Sequence, residues 1–244
     1  MSHTFISLEK NKVTGTNRAV KSASEAILAR RSIRAFKDTP VERSVLEEII
    51  SKSSRAPSGG NLQPWKVKVI SGQVRDQLVN TVAEKMATNP AGDGSEYNVY
   101  PPELKDPYRT RRRVVGHQLY SLIGIAKEDR MAKFQQVSKN FAFFGAPVGL
   151  IFSIDRQMEQ GQFADLGMFM QNIMVLAQEA GLNTCAQEAW AVWHQTIRDV
   201  VGIPQNEMVF CGMAVGYADE EAVINELVSE RAPSEEFVEF LGFE

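Results

Sequence analysis

Apolar side chains at Val41, Val45, Leu46, Ile49 and Ile50 fall at the spacing that covers one face of a helix. Ahead of them Thr39 can cap the first turn, Pro40 suits the first helical position, and Glu42 completes a capping box. Upstream, SASEAILARRS predicts a shorter helix, with Ser22 and Glu25 again at capping-box spacing. SRAPSGGN breaks the periodicity. WKVKVI then alternates, with Trp65, Val67 and Val69 on one face and Lys66 and Lys68 on the other, which predicts a strand. Val74, Leu78, Val82 and Met86 predict another amphipathic helix.

The second half is more apolar. VGLIFSI is a continuous run, as expected for a strand covered on both faces. FADLGMFMQNIMVLAQEAGL predicts a long helix, apolar nearly all round and ended by Gly181. Its Met168, Met170 and Met174 suit core or a subunit interface. MVFCGMAVGY predicts a third buried strand, with Cys211 in the core. Helices and strands mix without a run of βαβ units, so the pattern predicts an α+β three-layer domain. A helix apolar on all sides needs two cover layers; the sheet and a second copy of the chain would supply them in a C2 homodimer. Residues 87–108 carry four prolines and little periodicity, which points to a lid or binding loop. The neighbouring YRTRRR reads as a solvated helix face.

Composition narrows the function classes. The 244 residues are 43% hydrophobic and 23% charged, enough for one large domain or two small ones. A net charge of −3 offers no basic field for nucleic acid. The first twenty residues lack a secretory apolar run, and GAPVGLIFSI is shorter than the ~20 residues that span a bilayer, so no membrane partner is expected. Two distant cysteines, Cys185 and Cys211, argue against a disulfide framework and for a reducing cytoplasm. His3, His117 and His194 have no metal-ligand spacing.

Against this background ARRSIRAF stands out. Arg30 and Arg34 are four apart and can reach one point, with Ser32 adding a hydroxyl between them. Guanidinium forks suit a terminal phosphate. Surface ion pairs with Asp38, Glu42 or Glu47 are the competing reading. In APSGGNLQPW, Gly59 and Gly60 let a flat ligand approach the main chain, while Asn61 and Gln63 each carry a donor and an acceptor. An ordinary helix-to-strand loop would look the same. Neither a dinucleotide-binding glycine fingerprint nor a P-loop occurs.

ARRSIRAF and APSGGNLQPWKV together resemble the two N-terminal signatures of the FMN-dependent nitroreductase family. GLNTCAQEAW resembles that family's loop over the flavin ring, and SERAPSEEFVEF its C-terminal phosphate-contacting arginine and dimer-forming tail. The resemblance runs in order from about Ser24 to Phe243, which leaves residues 1–23 as a leader and 24–244 as a single domain. It implies an α+β, three-layer α/β/α sandwich with a central, mostly antiparallel sheet, in an intertwined homodimer. It also implies FMN as cofactor and NAD(P)H as electron donor. Arg30, Ser32 and Arg34 would hold the phosphate and ribityl chain, Arg31 would contribute mainly backbone, and Arg231 would add a guanidinium. Pro57, Ser58, Gly59 and Asn61, with Gln63 beside them, would approach the same flavin from the other subunit. Ala186, Gln187, Glu188 and Ala189 match the segment offering an N–H to the flavin ring. Ala186 stands where proline is common in the family, and Gly59-Gly60 replaces small polar residues.

A flavin carries the redox chemistry, so no protein nucleophile is expected. Electron-poor small molecules, nitroaromatics first, are the implied acceptors in a ping-pong cycle. Trp190 and Trp193 are candidates to flank the acceptor, with core packing the competing reading. Quinone, enone or flavin reduction would use the same residues, and a flavin-binding sensor without turnover is the alternative from another class.

Overall fold

The structure is a computed structural model that describes residues 22–243, so the predicted leader, save its last two residues, and His3 lie outside it. Seven α-helices are described: α1 (Ala23–Ala29), α2 (Arg43–Ser53), α3 (Gly72–Thr88), α4 (Tyr108–Leu122), α5 (Arg130–Ser138), α6 (Gln160–Glu179) and α7 (His194–Val201). Four strands join them: β1 (Trp65–Ser71), β2 (Val148–Asp155), β3 (Asn183–Gln187) and β4 (Glu207–Gly216). All pair antiparallel in the order β1-β2-β4-β3. The two continuous apolar runs, β2 and β4, take the centre, because only central strands are covered on both faces.

Alternation along β2 divides the core. Val148, Leu150, Phe152 and Ile154 pack with Leu46 and Ile49 of α2 and with Leu166, Phe169 and Ile173 of α6. Ile151 faces the other way, to Leu78 and Val82 of α3 and Ile197 of α7. Each such side chain contributes about 1.5–3 kcal/mol when fully removed from water. A bulge at Phe152/Ser153 pairs them with Cys211 and Val209, skipping Phe210. Cys211 therefore joins the first cluster and Val209 the second, although the two are of equal parity in the strand. The result is the three-layer sandwich.

Several predicted elements shift. α1 is capped as expected, Ser22 Oγ accepting from Glu25 N at 3.2 Å. α2 starts later than the Thr39-Pro40 signal implies, at Arg43, with Glu42 as an extended N-cap making no side-chain bond. The preceding chain is held extended beside the sheet, by bridges from Ser32 to Thr184 and from Phe36 to Ala218 and by Lys37 N bonding Tyr217 O at 2.9 Å. α6 begins three residues before Phe163, where Glu159 and Gln162 form a capping box. β3, α5 and α7 have no counterpart among the predicted elements. Among the methionines, Met170 is core at 6% exposure while Met168 remains 39% exposed. Among the described residues no helix is long and apolar enough to cross a membrane.

Candidate functional site

α1 ends at Arg30, whose N–H still bonds Ala26 O at 3.0 Å. From there the chain lies parallel to β3, Ile33 N donating to Thr184 O at 3.0 Å. A buried amide pins the strip: Asn225 Oδ1 accepts from Arg34 N at 2.7 Å, and its Nδ2 donates to Ala35 O at 2.8 Å and Asp219 O at 2.9 Å. Arg34 Nη1 folds back onto Ser32 O at 3.1 Å.

Beneath this strip sits Cys185 of β3. Burial pushes its thiol up to about 11, against the opposing pull of Arg34, a contact from Ser32, and Arg30. It is thus a packed, protonated thiol rather than a nucleophile. Burial lowers Arg30, and the nearby Arg231 guanidinium lowers it further. Arg231 comes from the far end of the chain, its Nη1 steadied by Ser229 O at 3.0 Å, Ser229 Oγ at 2.8 Å and Glu230 O at 2.9 Å. Among the described residues no carboxylate pairs with Arg30, Arg31, Arg34 or Arg231. The competing reading of this motif as surface ion pairs fails: Glu47 is taken by Arg43 at 2.7 Å, and Asp38 and Glu42 pair with none of the four. A half-buried Arg30 and an exposed Arg231, near enough for one charge to act on the other and without a counter-charge among the described residues, make a seat that fits a phosphate.

The Gly-Gly loop is built differently. Gly59 N donates to Asp165 Oδ2 of α6 at 3.1 Å, and Ser58 Oγ accepts from Gln63 N at 3.0 Å. Gly60 and Asn61 both take φ 57° and Gln63 φ 49°, left-handed values that are strained for the glutamine. Pro57, Gly59, Gly60, Asn61 and Gln63 are exposed and Ser58 is half-buried. Among the described residues no hydrogen bond or ion pair joins this loop to the arginines.

At the end of β3, Ala186 is exposed, while Gln187 is 2% exposed and donates from Nε2 to Asn140 O at 2.8 Å. The Gln187 Oε1 is buried without a partner among the described residues. Glu188 reaches solvent, yet loss of water around its carboxyl raises it above the usual range. Ala189 is half-buried. Trp190 and Trp193 do not flank an open site: at 0% and 1% exposure they are core residues. Trp190 stacks on Phe143 at 4.5 Å and meets the edge of Phe141 at 5.6 Å. Gly212 makes room for it, since a Cβ there would stand 2.2 Å from the indole Cδ1.

The segment after α3 is clamped onto this end of the sheet. Asp93 N donates to Val192 O at 2.7 Å, and Asp93 Oδ2 accepts from Thr196 N at 2.8 Å and Thr196 Oγ1 at 2.9 Å. Tyr97 donates its hydroxyl to Phe210 O at 2.6 Å; burial raises that hydroxyl, and Glu188 and Cys211 add to the effect. Sequence reasoning also missed Gln136 and Lys139 of the α5 end, which with Arg34, Leu122, Ile123 and Val223 line an open groove of about 550 Å³. Nothing in the local spacing around Gln136 sets it apart; it is legible only once α5 is seen packed beside residues 34–35.

Known proteins resemble this chain over most of its length. The profile of the Nitroreductase family matches residues 27–217. Nitrobenzene nitroreductase of Ectopseudomonas oleovorans is 37% identical over 217 residues, 89% of this chain and 96% of its own. The 4-nitrobenzoate reductase of Pseudomonas putida is 36% identical over 218 residues, covering 89% and 95%. The crystal structure of the FMN and NADPH-dependent nitroreductase NfnB from sphigopyxis sp. strain HMH superposes with a TM-score of 0.89 at 42% identity, over 91% of this chain and 100% of that one.

Proposed function

The chain belongs to the nitroreductase family, and we propose from this that it binds FMN and passes reducing equivalents from NAD(P)H to nitroaromatic or similarly electron-poor acceptors. The observation that carries the reading is that Arg30, beside Ser32 and near the buried Cys185, feels the Arg231 guanidinium while no carboxylate among the described residues pairs with either. FMN held there would supply the two-electron redox chemistry.

The chain's own residues do the rest. Arg30 and Arg231 grip the phosphate, with Ser32 and Arg34 along the ribityl chain and Arg31 present through its backbone. The turn at Ala186, Gln187, Glu188 and Ala189 offers main-chain N–H groups to the ring edge, and the methyl of Ala186 leaves the approach open. Trp190 and Trp193 act from below, as the packed floor that keeps this turn rigid.

The second half of the pocket is assigned to another copy of the chain. Pro57, Gly59, Asn61 and Gln63 are exposed beside a half-buried Ser58, and Asn61 and Gln63 hold left-handed φ values. Phe237, Phe240, Leu241 and Phe243 are 71–80% exposed, an apolar tail suited to lie over a partner. Mixed dimers of an Asn61→Ala chain with an Arg30→Ala chain test the sharing. Both lesions then fall in one site, so one FMN per dimer is expected; two equally impaired sites would refute it.

Purified protein should be yellow and should bleach anaerobically with NAD(P)H. Nitroaromatics should then restore the colour faster than quinones, enones or free flavin. Inert nitro compounds beside rapid quinone turnover would overturn the acceptor assignment. A bound flavin that stays oxidised with both nucleotides would favour a sensor.

A further inference from the structure

No residue of α4 is fully buried, so little apolar packing fixes it. Its first turns carry Arg109, Arg111, Arg112 and Arg113, like charges that repel one another and oppose the helix dipole. Arg109 is answered locally, by Asp106 at 2.6 Å. Arg111 is answered from the far end of the chain, where the turn Ser234–Glu236 brings Glu236 to its Nη2 at 2.6 Å. Two helical turns on, and so on the same face, Gln118 donates from Nε2 to Glu230 Oε1 at 3.3 Å. At the C-terminal end of α4, Leu122 and Ile123 share a groove with Ala222, Val223 and Ile224. Residue numbers fall along α4 as they rise along the tail. The two therefore run antiparallel over about three turns, roughly 16 Å of helix.

Up to Asn225 the returning chain is pinned to residues 34–35. Beyond it the hold changes. Among the described residues, the contacts of Gln118 and Arg111 are the only hydrogen bonds or ion pairs that join residues 228–243 to the rest of the chain. Arg231 sits between them. Its Nη1 is turned back onto Ser229 and Glu230, so its place follows that of the 229–230 backbone, and Glu230 is the residue Gln118 holds. A free tail would have to be ordered at every binding event; a tail fixed in advance leaves more of the guanidinium–phosphate attraction for affinity.

Resting on the function proposed above, we propose that Arg111 and Gln118 are positioning residues for FMN: α4 is a splint that fixes residues 230–236 and so stands Arg231 ready for the phosphate. Neither side chain touches the cofactor in this scheme. Both act through Arg231.

The test uses the full-length enzyme, stripped of flavin and titrated with FMN and with riboflavin, which lacks the phosphate. Arg111→Ala/Gln118→Ala should bind FMN about fivefold more weakly, with riboflavin affinity unchanged. Glu236→Gln leaves α4 intact and should lose about twofold, so the splint can be judged even where the double variant does not fold. Arg111→Glu/Glu236→Arg, which reverses the pair, should restore FMN affinity, and Arg109→Ala should not alter it. On an Arg231→Ala background the Arg111→Ala/Gln118→Ala change should cost nothing further. Parental FMN affinity in the folded double variant, equal losses for the two flavins, or a fivefold loss that persists without Arg231 would overturn the inference. Parental FMN affinity in Arg231→Ala alone would instead strike the phosphate assignment of the proposed function, and is separately visible.

Discussion

Around Glu96 and around Arg30 the chain assembles two groups of cations and treats them oppositely. Glu96 sits among Arg156, Arg198 and His194, with Arg198 and His194 each at 3.7 Å, and also accepts from Val209 N at 3.3 Å. Arg198 spends its other donors on carbonyls, Ile203 O at 3.1 Å and Glu207 O at 2.9 Å among them. In that group the Glu96 carboxylate answers Arg156 and Arg198 from within, and it binds the segment after α3 to the sheet. The Arg231 guanidinium acts on Arg30 across their like charges, and among the described residues no carboxylate pairs with either. Arg30 is half-buried and Arg231 exposed, so the second group is open to solvent and to an anion from outside, as the first is not.

The sharpest way to break this contrast is to delete each group in turn. Arg30→Ala or Arg231→Ala should weaken FMN binding by about 1.5–3 kcal/mol each, read as flavin content after dialysis. The flavin-free variants should melt no lower than the flavin-free parent, because removing one of two like charges relieves repulsion. A large loss of flavin-free stability would show the pair to be structural after all.

Glu96→Gln should do the reverse. It leaves Arg156 and Arg198 without their counter-charge and should lower urea-unfolding stability by roughly 2 kcal/mol, while the variant still takes up FMN at full stoichiometry. Glu188→Gln is a smaller probe. The Glu188 carboxyl is raised in the folded state by loss of water, so the folded protein holds this proton longer than the unfolded chain. Its contribution is present below the unfolded carboxylate range and is lost as pH rises through the folded value. Glu188→Gln should therefore flatten the stability–pH curve above about pH 4.5, in flavin-free protein; an unaltered slope would contradict the desolvation. Ser22→Ala should cost only about 1 kcal/mol or less, since α1 merely delivers Arg30 to the seat.

What could be read from the chain followed the range of the interaction. The amphipathic helices and apolar strands declared themselves, because period and burial are local properties. ARRSIRAF was legible as anion chemistry for the same reason. The meeting of Arg30 with Arg231 spans two hundred residues and was reachable only through the family resemblance. β3 was hidden because NTCAQ is short and mildly polar; it forms because β4 offers it a partner edge. Trp190 and Trp193 turned out to be floor rather than wall, and the cause is remote: Gly212 on β4 leaves the hollow the first indole fills. Likewise the anchoring of residues 89–107 depends on Asp93, Glu96 and Tyr97 finding Thr196, Arg198 and Phe210, which no local pattern announces.

The central claim is that two unanswered guanidiniums exist to hold a phosphate. Comparing FMN with riboflavin isolates that group, because the two differ in it alone. Titration of flavin-free protein should show FMN bound at least tenfold more tightly than riboflavin, and Arg30→Ala/Arg231→Ala should erase most of that difference while leaving riboflavin affinity nearly unchanged. Equal binding of the two flavins by the unmodified protein, or a preference for FMN that survives the double substitution, would contradict the account.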